Sequence, residues 1–85
     1  MSRHTIPAKD DGHEVVVGWD QPLLTFFAIV YDKSKRGTDD DIVLWKGTRP
    51  REIYEVEDLR RVLGKYAKLG SEMRSTLYGD KDEGR

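Results

Sequence analysis

Few side chains in this 85-residue chain have the types and spacing that chemistry requires. The histidines are His4 and His13, and the densest group of carboxylates is Asp39-Asp40-Asp41. A metal centre needs three or four convergent ligands, and a catalytic base needs a fixed partner. His13 is followed by Glu14, but consecutive residues of a strand point to opposite faces, so adjacency does not bring them together. The aspartate run lacks the alternating oxygen ligands, central glycine and closing glutamate of a calcium loop. It is expected to be solvated and to offset Lys33, Lys35 and Arg36. Ser34, Ser71 and Ser75 have no histidine near them in sequence. The chain has no cysteine, which removes thiolate nucleophiles, cysteine-ligated zinc, iron–sulfur clusters and disulfides. No phosphate loop, Gly-x-Ser-x-Gly elbow or His-Glu-x-x-His pattern occurs. The expectation is a protein that is not an enzyme and that holds no cofactor and no metal.

Recognition is better represented than catalysis. Lys46, Arg49, Arg51, Arg60, Arg61, Lys65, Lys68 and Arg74 fall within residues 45–74, with Trp45, Tyr54 and Tyr66 interleaved. On one continuous helix Arg61, Lys65 and Lys68 would share a face, a stripe suited to phosphates, and exposed aromatics could stack bases. Against this, Glu52, Glu55, Glu57, Asp58 and Glu72 are interspersed, and Glu57 with Arg61 is an ordinary helical pair. No helix-turn-helix, ribonucleoprotein or zinc-finger signature is present. Residues 1–42 hold five bases and eight acids, and residues 43–85 ten bases and eight acids, an imbalance that solvated faces explain. Nucleic-acid association, with Arg49, Arg51, Arg61, Lys65 and Lys68 as its contacts, is therefore the second reading. The leading one is a non-catalytic accessory or regulatory module acting by protein–protein contact. Its candidate interaction surface is Trp19, Phe27, Ile29 and Trp45, because tryptophan is enriched where binding energy concentrates.

These residues must be held by a single small domain, for which the length is right. Residues 1–13 are polar, show no apolar period, and are expected to form a flexible N-terminal arm. Residues 79–85 are expected to be a flexible tail, so the folded unit is residues 14–78. Removing either end is expected to leave stability nearly unchanged. Residues 14–19 are β-branched and close at Asp20-Gln21-Pro22, where proline removes a ladder donor. Residues 23–31 form the strongest strand, and Ile42-Val43-Leu44-Trp45-Lys46 a short third one, stopped by Gly47. The period then changes. Val56, Leu59, Val62, Leu63, Tyr66 and Leu69 recur at helical spacing, with Gly64 inside the pattern and Gly70 ending it. Ser71 is a candidate N-cap for a second helix, residues 72–78, which Gly79 terminates. The fold class is α+β, a three-stranded antiparallel meander followed by two helices (βββαα).

The central strand carries a message about partners. One of its faces bears Leu24, Phe26, Ala28 and Val30, and the other Leu23, Thr25, Phe27, Ile29 and Tyr31. A strand wetted on one side alternates apolar with polar residues, and this one does not. Helices cover one face. The other calls for the N-terminal arm, for Trp19 and Trp45, or for a second copy of the chain in a homodimer.

Gly18-Trp19-Asp20-Gln21-Pro22-Leu23-Leu24-Thr25-Phe26-Phe27, followed by Val43-Leu44-Trp45-Lys46-Gly47, resembles a group of small bacterial proteins with a Gly-Trp-Asp-x-Pro-Leu-x-Thr-Phe-Phe type segment. The likeness covers roughly residues 15–77 and brings no activity with it. It implies a bacterial cytoplasmic protein. No apolar stretch approaches the ~20 residues that span a bilayer, and no signal-peptide pattern opens the chain. Contact with a membrane is not expected.

Overall fold

Val15, Val16 and Val17, then Phe26, Phe27, Ile29 and Val30, suit a pleated and half-buried surface. They form the two central strands of an antiparallel sheet. The computed structural model describes residues 2–84 and has an α+β architecture. Four strands run β1 (His4–Ile6), β2 (His13–Asp20), β3 (Thr25–Asp32) and β4 (Ile42–Lys46), adjacent in the order β1-β2-β3-β4. Two helices follow, α1 (Val56–Leu63) and α2 (Ser71–Glu83). Every connection within the sheet is antiparallel.

Both helices pack on one face of the sheet. Val15, Val17 and Trp19 of β2, with Phe26, Ala28 and Val30 of β3, meet Val56, Leu59 and Leu63 of α1 and Leu77 of α2 in one buried cluster. Ile53, Ala67 and Leu69 fill the same core from the connecting segments. Thr25 is buried too, and its hydroxyl oxygen accepts from the Ile53 N–H at 2.7 Å. The segment before α1 is thereby pinned to the start of β3.

The sheet has four strands where the sequence predicts three. The additional one, β1, lies in the segment expected to be an arm, and pairs His4 with Val17 and Ile6 with Val15. Ser2 reinforces it: its N–H donates to the Trp19 carbonyl, and its hydroxyl accepts from the Trp19 N–H at 2.9 Å. Further on, Lys9 N–H donates to the Tyr66 carbonyl at 2.7 Å. An edge strand of three residues needs only one apolar anchor, Ile6, so no alternation marks it in the sequence. His4 replaces a second apolar anchor by reaching Asp80, its Nε2 lying 2.7 Å from the carboxylate. Met1 and Arg85, at the outer ends of the supposed arm and tail, lie outside the described residues.

The helices also depart from their expected limits. Helix α1 stops at Leu63, and Gly64 caps it at φ +42° with its N–H donating to the Arg60 carbonyl. Ala67 and Leu69 continue the apolar spacing because the loop, too, is packed on the core. Gly70, not Ser71, holds the N-cap position of α2, and the helix runs through Gly79 to Glu83. Residues just beyond Gly79 have partners that keep it wound. Asp80 is buried against His4, and Lys81 donates to the Tyr54 carbonyl at 2.8 Å.

Deleting residues 1–9 is therefore expected to lower the unfolding free energy by about 3 kcal/mol or more. The deletion exposes the site of Ile6 and leaves the buried Asp80 carboxylate without its partner. Denaturant unfolding measures it. A loss below about 0.5 kcal/mol, the size of an ordinary surface change, would show that β1 contributes nothing.

Candidate functional site

The outer face of the sheet, opposite the helices, holds most of the residues singled out for contact. Alternation along β3 sends Phe27, Ile29 and Tyr31 outward, where Val16 of β2 joins them in a second apolar cluster. Register places Trp45 of β4 beside Ile29 and Gly18 of β2 beside Phe27. Gly18 makes room for the aromatic ring, since a Cβ there would lie 2.7 Å from Phe27 Cε1. Phe27 and Ile29 are thus only 4% and 7% exposed, whereas Trp45 is 55% exposed. Part of the cover that the sequence calls for is supplied within the chain.

A groove of about 320 Å³ opens on this face, lined by Phe27, Ile29, Trp45, Leu23, Gly47 and Thr48, with Arg3 and Asp20 as its charged groups. Trp19 takes no part. It points to the helix side with Val15 and Val17, is 1% exposed, and meets Phe26 edge to face at 4.9 Å between ring centres. Its indole N–H donates to Gln21 Oε1 at 2.7 Å. The structure therefore joins Phe27, Ile29 and Trp45 and separates Trp19 from them. Two-residue alternation along β2 already groups Trp19 with the core valines and is the signal that distinguishes it.

The two edges of the sheet differ. Strand β1 is three residues long, is followed by Pro7, and is closed by a bridge between Ala8 and Ala67. Strand β4 has five residues and exposes Ile42, Val43 and Trp45. Short strands and proline are devices that protect an edge from further pairing. The β4 edge lacks both, and its one irregularity is the register shift beside Val30 and Tyr31, where Val43 has no partner.

Asp39, Asp40 and Asp41 precede β4 without the expected match to nearby bases. Arg36 instead pairs with Glu14 at 2.7 Å, and Asp32 accepts from both the N–H and the hydroxyl of Ser34. These two bonds hold the Asp32 carboxyl below its ordinary range. Among the described residues, Asp39, Asp40 and Asp41 have no ion-pair partner, and neither do Lys46, Arg49 and Arg51 at the other end of β4.

The basic residues do not form one stripe. Because α1 ends at Leu63, Lys65 and Lys68 leave the helix that would have aligned them with Arg61. Lys65 lies over the Tyr66 ring at 5.4 Å. Arg61 and Lys68 do meet in a cleft of about 350 Å³ with Lys9, Arg60 and Arg74. Its arginines are largely answered by carboxylates: Glu57 pairs with Arg60 at 2.9 Å and with Arg74 at 3.5 Å, and Asp58 with Arg61 at 3.2 Å. The hydrogen bond from Arg60 holds the Glu57 carboxyl below its ordinary range, so this pairing persists to lower pH than an ordinary glutamate would allow. Arg49 and Arg51 lie outside the cleft, in the turn where Arg51 N–H donates to the Leu23 carbonyl.

Each histidine has a carboxylate. His4 ties β1 to α2 through Asp80, as described. His13 Nδ1 lies 2.8 Å from Asp10, whose same oxygen accepts from the Gly12 N–H. The His13 bond is the main reason that the Asp10 carboxyl titrates below its ordinary range. Both arrangements fasten chain segments. Among the described residues, no three His, Asp or Glu side chains are grouped to hold a metal, and no helix is long and apolar enough to cross a membrane.

Comparison of the chain with protein families, curated proteins and solved structures finds no match. The geometry alone carries the functional reading.

Proposed function

We propose that the protein is a non-catalytic accessory module of the cytoplasm, which works by holding another protein chain against the β4 edge and the outer sheet face. One observation carries this reading: β4 is an unblocked edge strand on which Ile42, Val43 and Trp45 are all exposed. Such an edge offers N–H and C=O groups as a template for one more strand, and its side chains supply specificity. Burying a large apolar side chain contributes about 1.5–3 kcal/mol, so a partner strand here gains from contacts the free chain leaves in water. The groove bounded by Trp45 extends the apolar seat inward, with Arg3 and Asp20 to orient what enters it. The basic cleft supports nucleic-acid binding less well, because paired arginines must first give up their carboxylates.

Affinity capture from cells that also make the untagged chain tests the reading, using tagged wild type, Trp45→Asp, and a double variant Arg61→Glu/Lys68→Glu. A protein, whether another polypeptide or the untagged chain, is expected in stoichiometric amount with wild type and the double variant. Trp45→Asp, shown by circular dichroism to be folded, is expected to lose it. Retention of the same protein by Trp45→Asp would overturn the assignment. Nucleic acid held by wild type, lost by the double variant and released by salt would establish the second reading in its place.

A further inference from the structure

We infer that the chain seated on β4 is a second copy of this protein, paired antiparallel through β4 so that the two sheets become one. The inference rests on the reading of β4 as a docking edge and names its occupant. What singles out a second copy is the order of charge along the strand. Asp39-Asp40-Asp41 precedes β4, apolar residues fill it from Ile42 to Trp45, and Lys46, Arg49 and Arg51 close and follow it. Read backwards, that order becomes base, apolar, acid. The segment is its own electrostatic complement when paired antiparallel. None of these six charges has an ion-pair partner among the described residues of one chain, so none must be released before the copies meet.

Symmetry then restricts the register. A two-fold axis perpendicular to the sheet keeps the same face outward in both copies, so residues that face each other must point to the same side. Centring the axis on Leu44 pairs the centres of the two strands, and the irregularity beside Val30 and Tyr31 leaves Val43 without a partner in β3. Beyond the strand ends, the Asp39-Asp40-Asp41 turn of one copy lies toward the end at which Lys46, Arg49 and Arg51 of the other close and follow β4. Ile42 and Trp45, beside the outward Tyr31 and Ile29, carry the apolar surface of each copy to the seam. Leu44, which packs on the edge of the main core, meets its own copy on the helix side. An unrelated strand would fill the edge as well, but would have to supply this charge order by coincidence. Five paired residues a side make a small interface, so the dimer is expected at micromolar concentrations.

A charge swap tests the arrangement by sedimentation equilibrium of the full chain, from low to high micromolar concentration. Wild type is expected to show a monomer–dimer equilibrium that weakens as salt rises. Variant one carries Asp39→Lys and Asp41→Lys, and variant two carries Lys46→Glu and Arg49→Glu. Asp39, Lys46 and Arg49 are exposed and Asp41 is half-buried, and none of the four has an ion pair to lose, so both variants are expected to fold. Each alone sets like charges against each other and is expected to dimerise roughly tenfold or more weakly. Mixed in equal amounts, they restore opposite charges in both pairs and are expected to recover the dimer. A monomeric wild type at the highest concentration would overturn the inference. So would variants that dimerise as well as wild type, or a mixture no better than its components. If the chain is monomeric yet capture still yields another protein that Trp45→Asp loses, the self-pairing fails while the docking edge stands.

Discussion

Trp19→Ala is expected to lower the unfolding free energy by about 3–5 kcal/mol, the range for emptying a buried aromatic site. Trp45→Ala is expected to change it by less than about 1 kcal/mol, since a half-exposed side chain loses little when truncated. The same residue type stands on two strands of one sheet, and the faces decide the outcome. Trp19 lies between β2 and the helices, against Phe26, with Tyr54 edge-on at 6.4 Å and the Lys81 ammonium 5.8 Å from its ring. Its loss would open a cavity where segments from both ends of the chain converge. Trp45 borders the outer groove and faces solvent. Equilibrium denaturation of the two variants measures the contrast, and equal losses would place both rings in the core.

Gly47→Ala is expected to cost more than about 4 kcal/mol or to prevent folding. Two effects coincide at this position. Gly47 has φ +90°, which L residues rarely adopt, and an added Cβ would stand 2.6 Å from Phe27 Cα and closer still to the Phe26 carbonyl. These are backbone atoms of the central strand, so no side-chain rotation relieves the contact. Losses of this size are exceptional and need a named mechanism, which the steric conflict supplies. Gly37→Ala is the internal control. Gly37 has φ +87° but nothing within 4 Å of an added Cβ, so the conformational cost of about 1–2 kcal/mol stands alone. Thermal or denaturant unfolding of the pair separates conformation from contact, and similar losses would refute the steric account.

The parts of the fold that follow from side-chain periodicity were legible in the sequence. Ile42–Lys46 has the limits its β-branched and aromatic residues suggest, and the apolar character of both faces of β3 matches two separate clusters. What was not legible depends on single long-range partners. Strand β1 is held by Ile6, by backbone bonds to β2 and by one His–Asp pair, none of which produces a local pattern. Gly79 looks like a helix terminator because nothing local says that Asp80 and Lys81 will be anchored by His4 and Tyr54. Gly64 looks like an interior residue because Leu69 keeps the helical spacing from a loop. For the candidate site, composition draws attention to the tryptophans; alternation along β2 groups Trp19 with the core valines, and register puts Trp45 beside Ile29 on the other face. The apparent basic stripe failed for a related reason, since it assumed an α1 that continues beyond Leu63.

The clasp between His4 and Asp80 also orders events in time. It joins residues 76 positions apart, and contacts at such separation close late because the intervening chain must first be organised. On a ribosome, the residues of β1 emerge before those of α2. Until then His4 has no carboxylate to meet, and the core beneath Trp19 lies open on its α2 side. Strands β2, β3 and β4 are already available during that interval, including the unguarded apolar edge. In a nascent chain, β4 with its exposed Ile42, Val43 and Trp45 is therefore made before the contact between His4 and Asp80 can form.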